Sequence, residues 1–155
     1  MTRKLKLRCI MEFIKKHNIK TGVAAKDWRE AIGKAGQVLL DEGSIEEEYV
    51  TQMIEAVQQL GPYIVIAPGI AFAHARPSDL VKKECLSMIT LKHPVSFGAG
   101  ENDPVYVVFA FGATDSTGHL EGLSEIIRFL EQEKNLEKLR AETDSETIYQ
   151  LMNCK

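Results

Sequence analysis

Two residues in this chain have the type and setting for group-transfer chemistry, His74 and His119. His74 closes the apolar run IAPGIAFA (66–73) and is followed by Arg76, Pro77 and Asp79. His119 follows Asp115, Ser116, Thr117 and Gly118, just beyond a second apolar run, VYVVFAFG (105–112). A neutral imidazole offers a lone pair and is a nucleophile; an imidazolium is not. A helix beginning near Ser116 would present free backbone N–H groups and a partial positive charge, an arrangement suited to an anion such as phosphate. Ser116, Thr117 and Gly118 are small enough to let such a group approach the backbone. Taken alone, the same residues also fit two partly buried structural histidines. Asp115 either caps the helix or orients His119, and the cap is the expected role. The other two histidines, His17 in KKHNIK and His93 in LKHPV, sit in polar segments and read as surface residues. No acid or cysteine stands at ligand spacing from His74 or His119, so no metal is expected.

The elements that must position these residues follow from periodicity. Leu7, Ile10, Met11 and Ile14 recur at helical spacing and predict a first helix to about Lys16, with NIKTGV as an extended link. Asp27, with Glu30 three residues on, predicts the start of a helix that faces Trp28, Ile32, Ala35 and Leu39 inward and stops at Gly43. Ser44 with Glu47 repeats the capping signal before a stripe of Val50, Met53, Ile54 and Val57, ended by Gly61-Pro62. YIVI (63–66), ECLSMITL (84–91) and VYVVFAFG (105–112) read as strands. The last is apolar on both faces and should be central, covered by helices on each side. His74 then falls in a loop-like segment leaving a strand. SFGAGENDP (96–104) is a turn-rich connection. A helix after Ser116 is expected to bury Leu120, Leu123, Ile127 and Leu130, with short helices near 134–140 and 145–152. This is an α/β domain with a mixed sheet and helices on both faces.

Composition narrows the function. The 155 residues suit one domain, 1–155, and a net charge of -3 argues against nucleic-acid binding. Arg3, Lys4, Lys6 and Arg8 form a short basic cluster that reads as a solvated helix start. Cys9, Cys85 and Cys154 are scattered, which fits a reducing cytoplasm better than a disulfide framework. No apolar run is long enough for a signal peptide or a membrane span.

GPYIVIAPGIAFAHARP (61–77), followed after the central strand by ATDSTGHLEGLSEI (113–126), resembles the enzyme IIA components of the sugar phosphotransferase system. The likeness is to the fructose–mannitol superfamily and, within it, the ascorbate-type branch. It extends from about residue 10 to about residue 152. The superfamily's first motif reads G-I-A-x-P-H, and in its second a histidine followed by Leu or Ile begins a helix. The proline before the first histidine is Ala73 here. An arginine of mannitol-type members aligns with Ala56, and Arg76 matches an arginine of the ascorbate-type branch.

The resemblance implies a phosphoryl relay without cofactor or metal. His74 matches the histidine that accepts phosphate from the phosphocarrier protein HPr, through Nε2, and the group passes on to a cysteine of enzyme IIB. IIB in turn phosphorylates a sugar during its passage through the membrane component IIC. His119 matches the second active-site histidine, which contacts the phosphoryl group. A backbone carbonyl on Nδ1–H of His74 would fix the reactive tautomer. The apolar approach, with Ile70 and Phe72, is expected to form a docking patch, and Arg76 is expected either to meet phosphate at its rim or to pair with Asp79. A regulatory module of the same fold, controlling a transcription factor or transporter, is the alternative. Oligomeric state, a homodimer included, is left open.

Overall fold

The computed structural model describes residues 13–153. The basic cluster, Cys9, Cys154 and most of the expected first helix lie outside these residues. Where that helix was expected to end, the chain forms a bend at Phe13 and Ile14 and a 3-10 turn at Lys16–Asn18.

Five strands make one sheet: β1 (Ile19–Val23), β2 (Val65–Ala67), β3 (Ile70–Ala73), β4 (Cys85–Val95) and β5 (Val105–Gly112), in the order β1-β4-β5-β3-β2. The sheet is mixed: β3 runs parallel to β5, and β4 antiparallel to it. β5 is central, as its two-sided apolar pattern predicts. Its residues alternate between two cores. Val108 and Ala110 face a core shared with α1 (Trp28–Glu42) and α2 (Glu47–Leu60). Val107, Phe109 and Phe111 face a second core beneath α3 (Ser116–Leu130), α4 (Glu133–Ala141) and α5 (Ser145–Asn153). Helices thus cover both faces.

Two strands were hidden in segments read as links. NIKTGV contains β1, an edge strand held by parallel pairing with β4 at Ile19–Met88 and Lys20–Ile89. With one ladder and one buried end it needs no strong apolar pattern. IAFA (70–73) is β3, interior to the sheet and buried at every residue. A four-residue apolar run has no period to distinguish strand from loop. Gly69, at φ +80°, turns β2 into β3. The strand expected at 63–66 moves to Val65–Ala67, and the one expected at 84–91 runs on to Val95, so that exposed His93 lies within β4.

The helix starts separate real caps from apparent ones. Asp27 Oδ1 accepts the Glu30 N–H at 2.9 Å, and α1 ends at Gly43 in the left-handed region, φ +79°. Ser44 does not cap α2. It is fully buried, its hydroxyl donates to Glu42 Oε1, and the residue at the cap position is Glu46. That Glu42 carboxylate also accepts Lys15 Nζ at 3.0 Å and Asn18 Nδ2 at 3.2 Å. Burial would raise its pKa, but these three partners together hold it at about 2.

α3 is rotated from the expected orientation. Leu120 and Ile127 are 67% and 44% exposed, while Gly118, Ile126 and Leu130 are buried. The inward stripe is Gly118, Gly122, Ile126 and Leu130, one residue every four. Two glycines in it leave no apolar signal to read. Gly122 lets the helix lie directly on Phe111: a Cβ there would stand 2.2 Å from Phe111 Cζ. Phe111 is stacked on Phe72 with centroids 5.5 Å apart and is not free to retreat. Gly122→Ala therefore destabilises the fold. Overpacking of about 1–3 kcal/mol outweighs the roughly 1 kcal/mol that alanine gains in a helix. A net loss of up to about 2 kcal/mol lowers the melting temperature by up to roughly 8 °C in a chain this size. Gly118→Ala should cost less in the same thermal melt, because the atom its Cβ meets is the mobile carboxylate end of exposed Glu84.

Candidate phosphoryl-transfer site

Parallel pairing of β3 with β5 brings the two histidines together. Ala73 is paired with Ala110, so His74 leaves the sheet at the edge where β5 ends at Gly112 and the chain turns into α3. The rings of His74 and His119 lie 5.4 Å apart, edge to face at 76°. Ends of neighbouring strands and the helix starts beyond them are where α/β sheets place their sites.

His74 is half-buried against Phe72, with centroids 5.5 Å apart, and against the edge of Tyr63 at 5.8 Å. Its Nδ1 lies 2.9 Å from the Phe72 carbonyl oxygen. A carbonyl only accepts, so Nδ1 carries the proton and the Nε2 lone pair is available. Burial pushes the His74 pKa below its ordinary value, and nearby His119 pushes in the same direction against the opposing Phe72 carbonyl. His74 is thus neutral at pH 7 and nucleophilic at Nε2. His119 packs against Phe111, with centroids 6.1 Å apart.

The start of α3 is built as expected, with one qualification. Asp115 Oδ1 accepts the Gly118 N–H at 2.8 Å, so Asp115 is the cap. The His119 N–H goes to the Asp115 carbonyl at 3.0 Å. These bonds take the Gly118 N–H away from any anion. The Ser116 and Thr117 N–H groups keep no partner among the described residues, and both side chains are exposed.

The docking patch needs correction. Ile70 and Phe72 are fully buried and cannot line a surface. They lie in an interior strand and point into the core under α3 to α5. Exposed apolar side chains beside the histidines are Tyr63, at 44%, whose ring edge meets His74, and Leu120, at 67%, next in sequence to His119. Arg76 is exposed, and no ion pair joins it to Asp79. Among the described residues no three His, Cys, Asp or Glu side chains gather as a metal site requires, and no helix is long and apolar enough to cross a membrane.

Sequence reasoning missed Tyr49. Its hydroxyl lies 3.0 Å from the Ala75 nitrogen and 2.8 Å from the Phe111 oxygen, between the segments that lead away from one histidine and toward the other. The signal was present: Tyr49, Met53 and Val57 are the buried residues of α2, four apart. A stripe begun at Val50 passes it by.

The sequence and fold of the chain have known counterparts. Residues 12–155 match the family described as phosphoenolpyruvate-dependent sugar phosphotransferase system, EIIA 2, and the chain belongs to that family. It is 37% identical over 133 residues to the ascorbate-specific phosphotransferase-system EIIA component of Escherichia coli strain K12, an alignment covering 84% of this chain and 86% of that one. Its fold matches the solution structure of the mannitol-specific cryptic enzyme IIA of Escherichia coli with a TM-score of 0.82 and 29% identity, covering 94% of this chain and 98% of that one. It also matches a chain of the Escherichia coli complex of mannitol enzyme IIA with phosphorylated enzyme IIB. There the TM-score is 0.79 and the identity 26%, over 90% of this chain and 96% of the other.

Proposed function

We propose that this chain is one cytoplasmic phosphoryl-carrier domain serving ascorbate uptake. Nε2 of His74 takes the phosphoryl group from phosphohistidine of HPr and yields it to a cysteine of enzyme IIB, which acts with the membrane component IIC. The observation that carries this reading is the Phe72 carbonyl on Nδ1 of His74, which leaves Nε2 as the nucleophile. In the first step the N–P bond of HPr breaks as the Nε2–P bond forms, and the leaving imidazole keeps the electron pair. The proton on Nδ1 stays there, donated to the Phe72 carbonyl oxygen. In the second step a cysteine thiolate attacks phosphorus and Nε2 regains its lone pair.

Such transfer needs positioning and charge stabilisation more than covalent chemistry. His119, with the Ser116 and Thr117 N–H groups, is suited to hold the phosphoryl oxygens. The Phe72 and Tyr63 rings beside His74 limit water, which would hydrolyse the phosphohistidine. Ascorbate is supported by the curated relative's specificity. Transfer from labelled phospho-HPr through this protein to purified IIB proteins tests it: rapid labelling of an ascorbate-type IIB and slow labelling of a mannitol-type IIB is expected. The reverse preference would contradict the assignment.

Arg76 stands exposed two residues beyond His74, where a guanidinium can steer an anionic donor and meet phosphate through a fork of donors. Arg76→Ala is expected to slow transfer and to flatten its dependence on salt in stopped-flow traces. The melting temperature should stay within about 1–2 °C, as expected of a surface substitution of ±0.5 kcal/mol. A large loss of stability with normal kinetics would instead assign Arg76 to the fold.

A further inference from the structure

We infer that Tyr49 is a positioning residue for phosphoryl transfer, a cross-brace that fixes the His74 segment against the end of the strand leading to His119. The inference rests on the relay reading above. Tyr49 lies in the first turn of α2, far in sequence from both histidines, and is fully buried. Its hydroxyl donates to the Phe111 carbonyl at 2.8 Å and accepts the Ala75 N–H at 3.0 Å. The Ala75 carbonyl, at 3.2 Å, is the alternative acceptor for the same proton.

Both bonded residues touch the site. Ala75 is the residue after His74 and lies beyond the last ladder pair of β3, Ala73 with Ala110. No sheet bond reaches it, and its N–H depends on Tyr49. Phe111 stands in β5, four residues before the Asp115 cap of α3, and its ring contacts both His119 and Phe72. A single hydroxyl thereby links the backbone of the His74 segment to the residue that packs against His119. Burial pushes the Tyr49 pKa up to about 12, so the hydroxyl remains a donor throughout the working range. Group transfer is sensitive to such bracing, since a misplacement near 1 Å can cost on the order of 100-fold in rate.

The test is Tyr49→Phe, which keeps the ring and removes the hydroxyl. Rapid-quench transfer from phospho-HPr is measured over a range of donor concentrations, with Ile148→Val as a control that removes one buried methylene from the core distant in sequence from Tyr49. The expected result is a maximal rate lowered about tenfold or more, an unchanged KM, and the same final labelling of one phosphoryl group per chain. Ile148→Val should transfer at the wild-type rate. A wild-type maximal rate in Tyr49→Phe, a change in KM alone, or equal slowing in both variants would overturn the inference. Amide hydrogen exchange on the wild-type protein gives an independent reading that needs no variant. The Ala75 amide should be protected at least 100-fold although it lies outside the sheet, and exchange at the open-chain rate would overturn the brace. Failure of the relay reading itself would look different: the wild-type protein would not be labelled at all, whatever the Ala75 amide does.

Discussion

His74→Ala should not be labelled by phosphoenolpyruvate, enzyme I and HPr, whereas the wild-type chain should gain one acid-labile, base-stable phosphoryl group. Among the described residues no other imidazole near the site is held by a backbone carbonyl as His74 is. His119 is the only other imidazole within ring contact, and Cys85, buried beneath Gly112, has its thiol pushed up to about 12 by burial. A thiol with that pKa is inert at neutral pH. The substitution leaves the backbone bond from Ala75 to Tyr49 in place, so circular dichroism should report an unchanged fold. Labelling of the variant at the wild-type level would remove His74 from the relay.

His119→Ala should produce the second large effect, and of a different kind. The variant should still accept phosphate on His74, because the Phe72 carbonyl continues to hold the reactive tautomer. Onward transfer to enzyme IIB should slow by about 10²–10³, the usual consequence of removing one preorganised contact to a developing charge. Single-turnover quench-flow separates the two half-reactions. The Asp115 cap and its bond to Gly118 remain, so α3 keeps its start. Unchanged transfer to IIB would make His119 a packing partner of Phe111 and no more.

The placement of the two histidines was more legible in the sequence than the walls around them. From the residues alone the pair stood beside a structural reading, and it was the resemblance that set His119 next to His74; the fold does so because parallel strands deliver their ends to the same sheet edge. The hydrogen bond on Nδ1 could be anticipated from what a nucleophilic imidazole requires. The apolar residues around it could not be assigned a face. Ile70 and Phe72 look like a surface patch until the run is known to be an interior strand, at which point both must be buried. The rotation of α3 was hidden because Gly118 and Gly122 form half of its contact stripe without being apolar. β1 escaped because an edge strand, bonded to one neighbour, needs little hydrophobic pattern. Tyr49 acts through a hydroxyl that reaches two backbone segments distant in the chain, and no local pattern encodes that reach.

The most direct measurement is a long-range proton–nitrogen NMR spectrum of the imidazole rings before and after phosphorylation. Before transfer, His74 should show a protonated Nδ1 and an unprotonated Nε2, as the 2.9 Å contact with the Phe72 carbonyl requires. After transfer, phosphorus coupling should fall on Nε2 of His74, with the Nδ1 proton retained and the His119 nitrogens uncoupled. Phosphorus coupled to Nδ1 of His74, or to either nitrogen of His119, would contradict the assignment of Nε2 of His74 as the phosphoryl carrier.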